Sequence, residues 1–189
     1  GKIFIAPPLT NIYASRLAVS GGSVLHVGAP SYEIPQDWRW SPTLFSADGS
    51  GSLLEMAALK SITVYGGWGG FTYSINAINN AIIDLSGLDT VIGADQNQWS
   101  GDDWLSFNAT AGATINFGNA SVTRRTQINA SGPGSRVRFA SLYLRPPSIL
   151  NVNSRAVLNI KGNYAFENTD PNSIQATGAA LEMDGTQAQ

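Results

Sequence analysis

From about residue 105 onward the chain repeats a small unit, two apolar residues flanking one polar residue. Ile115-Asn116-Phe117, Val137-Arg138-Phe139, Leu158-Asn159-Ile160 and Leu181-Glu182-Met183 follow one another at a nearly constant interval, their first members at 115, 137, 158 and 181. A second series keeps the same period: Phe107-Asn108-Ala109, Ile128-Asn129-Ala130, Leu150-Asn151-Val152 and Ile174-Gln175-Ala176, starting at 107, 128, 150 and 174. A third, looser series runs through Val122, Leu142/Leu144 and Tyr164/Phe166. Apolar–polar alternation is the pattern of a strand with one buried face. Hairpins built from such short strands cannot keep this period. The pattern predicts an all-β fold, a single-stranded right-handed parallel β-helix with coils of about 22 residues, each strand pairing with its equivalent one coil on at ~4.8 Å. The alternative is a β-sandwich, whose strands recur at about 8–12 residues without the longer period. The β-helix requires Ile115, Val137, Leu158 and Leu181 to line up in one sheet. It also stacks Asn108, Asn129, Asn151 and Gln175 as an outward amide ladder.

Residues 1–104 are less regular. Leu25/Val27 and Leu54/Met56 read as equivalents one longer coil apart, and Ile62-Thr63-Val64 and Ile83-Asp84-Leu85 as further strands. The stretch from Leu54 to Ile115 reads as two coils with insertions. Insertions are expected in the Trp-rich stretch 30–43 and in 95–104. The best helical stretch, Leu53 to Leu59, is short. The organisation is therefore 1–104, irregular coils with Trp-rich insertions, and 105–189, regular coils. The last strand has no polar cap, so coils are expected to continue beyond Gln189 in a longer chain.

The run Leu150-Asn-Val-Asn-Ser-Arg-Ala-Val-Leu-Asn-Ile-Lys-Gly-Asn163 resembles the coil repeat of autotransporter passengers and filamentous-haemagglutinin-like adhesins. Phe107-Asn-Ala-Thr-Ala-Gly-Ala-Thr-Ile-Asn-Phe117 fits the same pattern, and Ile62-Thr-Val-Tyr-Gly-Gly-Trp-Gly-Gly70 resembles a turn common in bacterial surface β-helix proteins. The resemblance covers the regular part, 105–189, best. It implies a structural or adhesive segment, extracellular or at the cell surface.

Composition agrees with strands and turns. Charged residues make up 13% of the chain, about half the usual share. Gly, Asn, Ser and Thr are abundant, and the last three compete with a helical backbone for hydrogen bonds. No apolar run reaches the ~18 residues of a membrane helix. The charge is uneven: residues 1–103 hold nine acids and four bases, 104–166 hold seven bases and no acid, and 167–189 hold four acids. The bases are Arg124, Arg125, Arg136, Arg138, Arg145, Arg155 and Lys161. Coiling would gather them into a belt whose repulsion is offset internally, by turn acids such as Glu167 and Asp170, or externally, by an anionic polysaccharide or an acidic protein surface. The six arginines, with Trp38 and Trp40 on one face of an extended segment, are the candidate ligand-binding residues. A net charge of −2 argues against nucleic acid.

Candidate chemistry is sparse. His26, the one histidine, lies on the solvent face of Val24-Leu25-His26-Val27 without a sequence partner for catalysis. Asp102-Asp103 is the best acid pair, but consecutive strand residues point to opposite faces. A polygalacturonase-like site would add a His-Gly and an Arg-x-Lys, and the sequence has neither. Asp95 to Asp103 is oxygen-rich and leaves calcium open, although its spacing matches no calcium loop. Gly66-Gly67-Trp68-Gly69-Gly70 lacks the Lys-Ser/Thr of a phosphate loop. No catalytic residue, metal site or cofactor is therefore assigned. The expected function is structural or adhesive. The alternative is a polysaccharide lyase or glycoside hydrolase on the same scaffold.

Overall fold

A computed structural model describes residues 1–6, 9, 12–35, 41–66, 69–94, 102–167 and 173–183. The first coil comprises β1 (Ile3–Ile5), β2 (Ile12–Tyr13) and β3 (Leu17–Ser20). The second comprises β4 (Val24–His26), β5 (Ser31–Ile34) and β6 (Thr43–Asp48), and the third β7 (Leu53–Glu55), β8 (Ser61–Val64) and β9 (Thr72–Ile78). The fourth comprises β10 (Ile82–Leu85), β11 (Thr90–Ile92) and β12 (Trp104–Thr110). The fifth has β13 (Thr114–Thr123) and β14 (Thr126–Ser131), and the sixth β15 (Arg136–Leu144) and β16 (Ile149–Asn153). Then come β17 (Val157–Ile160), β18 (Tyr164–Phe166), β19 (Ile174–Thr177) and β20 (Ala180–Met183).

Every pairing between these strands is parallel, each with its equivalent one coil on, which makes the fold a parallel β-helix and not a sandwich. Face one stacks β1, β4, β7, β10, the starts of β13 and β15, β17 and β20. Face two stacks β2, β5, β8, β11, the ends of β13 and β15, and β18. Face three stacks β3, β6, β9, β12, β14, β16 and β19. The series Ile115, Val137, Leu158 and Leu181 lies in one sheet in register, as the period requires. Leu25, Leu54, Ile83 and Ile115 continue it toward the N-terminus. The same faces thus run through both halves of the chain. Leu53–Glu55 is strand and not helix.

Inward positions fill the axis. Leu54, Ile83, Ile115 and Val137 are fully buried, and Phe117 stacks on Phe139 with centroids 4.6 Å apart. The corner from face three to face one is nearly constant. Residue pairs with positive φ make the bend, among them Gly21/Gly22, Asn79/Asn80, Ala111/Gly112 and Ser154/Arg155. A small residue then enters the core: Ser52, Ala81, Ala113, Ser135 or Ala156. At Gly112, φ is +82°, a conformation that favours glycine. Where the small residue is serine it ties coils together. The Gly22 N–H donates to Ser52 Oγ at 3.0 Å, and that hydroxyl donates to the Asp48 carbonyl at 2.6 Å.

On the outside of face three the amide ladder is present and begins one coil earlier than the regular repeat. Asn108 Nδ2 donates to Asn76 Oδ1 at 2.8 Å, Asn129 Nδ2 to Asn108 Oδ1 at 2.9 Å, and Asn151 Nδ2 to Asn129 Oδ1 at 2.9 Å. Gln175 is in register with Asn151. The asparagines are half-buried.

Candidate functional site

Coils differ in length mainly at one place, the corner from face two to face three. In the second, third and fourth coils it spans 35–42, 65–71 and 93–103, whereas in the fifth and sixth it shrinks to 124–125 and 145–148. Trp38, Trp40, Trp68 and Trp99 lie outside the described residues, as do Asp95 to Gly101 and Asp170. Trp104 opens β12.

The base of the longest loop is clamped by the next coil. The Arg125 backbone bridges to Ala94, and its guanidinium, only 14% exposed, meets Asp102 Oδ1 at 2.9 Å. Asp103 turns the other way and is fully buried, where its Oδ1 accepts the Phe71 N–H at 2.8 Å. The acid pair therefore diverges. One carboxylate pairs with a cation outside, and the other caps a backbone donor inside. Burial, and secondarily the charge of Asp103, push the Tyr73 phenol well above its ordinary value.

The seven bases fall in consecutive coils but are spread around the axis. Arg124, Arg125 and Arg145 sit at the face two–three corner, Arg136 and Arg138 on face one, Arg155 at the turn leading into β17, and Lys161 after β17. Arg125 and Arg145 are ion-paired. Besides the Arg125–Asp102 pair, Arg145 Nε lies 2.9 Å from Glu167 Oε2, and its guanidinium stands 4.8 Å over the Tyr143 ring. Tyr143 OH donates to the same carboxylate oxygen at 2.7 Å. That hydrogen bond outweighs the opposing desolvation and, with lesser help from Arg145, holds Glu167 below the usual carboxylate range. Arg136, Arg138 and Arg155 make no ion pair among the described residues and are half-buried or exposed.

On face one the outward positions form two columns across the coils. The column through Ile5, His26, Glu55, Asp84, Asn116, Arg138, Asn159 and Glu182 is polar from His26 on. The sequence left His26 alone, but stacking places the Glu55 carboxylate against its Nδ1. The equivalence of Leu25 and Leu54 already implied this contact. The pair borders a shallow groove of about 410 Å³ walled by Ile5, Gly28, Ala57 and Ala58. Among the described residues, no group of three or more His, Asp or Glu side chains is placed to hold a metal ion, and no helix is long and apolar enough to cross a membrane. No known protein family, curated protein or solved structure matches the chain.

Proposed function

We propose that the chain is a structural and adhesive segment of a secreted or cell-surface protein. In this reading the stacked coils are the spacer, and one edge together with the outward arginines makes the contacts. One observation carries it: length varies at the face two–three corner while the face three–one turn stays short and the strands, apart from an irregularity at Thr43–Phe45, keep their register. A scaffold that confines its variation to one edge displays loops there, and loops held by a rigid frame are where binding groups concentrate. The contact chemistry rests on Arg136, Arg138 and Arg155, three guanidinium forks without ion partners among the described residues and suited to sulfate or carboxylate groups of an anionic polysaccharide.

Chromatography on a sulfated or uronic-acid polysaccharide column tests this. Retention at low salt is expected, with elution at moderate salt because exposed pairs are screened over ~8 Å. The variant Arg136→Ser/Arg138→Ser/Arg155→Ser should pass through unretained. No retention of the unaltered chain at low salt refutes the adhesive part of the proposal.

A further inference from the structure

The outer surface of face one is charged in a pattern that fits a second copy of itself. Alongside the polar column runs a second, through Ile3, Val24, Leu53, Ile82, Thr114, Arg136, Val157 and Ala180. Its N-terminal part is an outward aliphatic stripe, with Ile3 at 70% and Ile82 at 39% exposure. Two acids of the polar column, Glu55 and Asp84, precede Asn116, and Arg138 and then Glu182 follow it.

We propose that two copies associate through face one with their axes antiparallel, about a twofold axis along the strands at the level of Asn116. Such an axis sets each column against itself and reverses the order of coils. Asp84 then faces Arg138 of the second copy, twice by symmetry. His26 faces Glu182, Glu55 faces Asn159, and Asn116 faces its own equivalent, with amides able to donate and accept. In the other column Leu53 meets Val157, Val24 meets Ala180, and the Arg136 stem lies over Ile82. No position sets like charges together. Moving the axis one coil toward the N-terminus sets Asp84 against Asp84, one coil the other way sets Arg138 against Arg138, and half a coil the other way sets Glu55 against Glu182.

In this register seven strands of each copy overlap, and at ~4.8 Å per strand and four residues at ~3.3 Å each they give a face of about 34 by 13 Å. Two such faces bury about 900 Å², which falls in the range of weak, reversible complexes. The proposal shares Arg138 with the polysaccharide reading but does not depend on it.

Sedimentation equilibrium of the chain at about 20 mM salt, where screening is weak, should show a monomer–dimer equilibrium that shifts toward monomer at high salt. Asp84→Arg and Arg138→Asp should each weaken the dimer at least about tenfold, since each sets like charges together twice. The double swap should recover association to within about threefold, because the attraction returns with its sign exchanged. Asp84→Asn keeps the Oδ1 that accepts the Ser86 N–H at 3.0 Å, so its weaker association cannot be ascribed to a lost turn. A chain monomeric at every concentration, or a double swap that recovers nothing while circular dichroism stays unchanged, overturns the proposal. Loss with Glu55→Gln but not with Asp84→Asn moves the axis half a coil and overturns this register. Asp84→Arg keeps every arginine, so its retention on the polysaccharide column reports the other reading independently.

Discussion

The second to fourth coils and those after them solve the same packing problem with different amounts of chain. Along face one, Leu25, Leu54, Ile83 and Ile115 stand at sequence offsets of 29, 29 and 32, whereas Ile115, Val137, Leu158 and Leu181 stand at offsets of 22, 21 and 23. The inward residues are nonetheless equivalent, with Leu54 and Ile83 as fully buried as Val137. Stacking therefore constrains the three short strands and the tight turn from face three to face one, and it leaves the remaining corner free. In the fifth and sixth coils faces one and two fuse into the single long strands β13 and β15, and Phe117 and Phe139 stack across them. The regular coils are specified by packing along the axis. The longer ones keep that packing and add an edge.

The sharpest way to break this comparison is to excavate the regular half. Phe139→Ala should cost about 3–5 kcal/mol in urea unfolding. Leu85, its counterpart two coils earlier, should cost about 2–5 kcal/mol as Leu85→Ala. A single shared transition in both variants makes the two regions one cooperative unit, and a split transition makes them separable. The junction between them is Gly118, where a Cβ would sit 2.6 Å from the Ser86 carbonyl oxygen and 2.8 Å from that of Leu88. Gly118→Ala should therefore cost about 1–3 kcal/mol, read by the same unfolding curves.

Asn129→Ala removes an amide that donates to both Asn108 and Ser106 and accepts from Asn151. It should cost about 1–3 kcal/mol because half-buried partners lose their bonds, whereas Ser46→Ala, at the same position of the second coil, should cost under about 0.5 kcal/mol. Replacing 36–40 by Gly-Gly should change stability by no more than about 0.6 kcal/mol if the edge is independent of the stack. The smallest effect is electrostatic. Glu167 has a folded value below its unfolded one, so its contribution is present above the ordinary carboxylate range and is lost as pH falls through the lowered value. In an NMR titration, Tyr143→Phe should move the Glu167 midpoint upward, because the hydrogen bond that lowers it most is gone.

Most of the stack was legible because alternation and period are backbone properties. Ile115 and Val137 announced their sheet, and Asn108, Asn129 and Asn151 announced their ladder. Asn76 escaped because a long coil separates it from Asn108, and the loop in that coil hides the recurrence of Ile-Asn-Ala. His26 looked solitary for the same reason, its partner Glu55 lying a long coil away. The angular spread of the basic belt was not legible, because sequence proximity sets the coil and not the face. Arg125, Arg138 and Arg155 fall at three different angles around the axis, where Arg125 finds Asp102 and the other two find no acid among the described residues.

Because hydrogen bonds between successive coils run along the axis, a pull on the two ends loads them one coil at a time, as in opening a zip. Each coil that peels away releases its own length of slack. At about 3.4 Å per residue that is roughly 75 Å for a regular coil and roughly 100 Å for one of the longer coils. Stretched singly, the molecule should yield in steps of two sizes. The short steps would report the regular coils and the long ones the coils that carry loops, so unequal coils act as a ruler that records from which end the rod gives way.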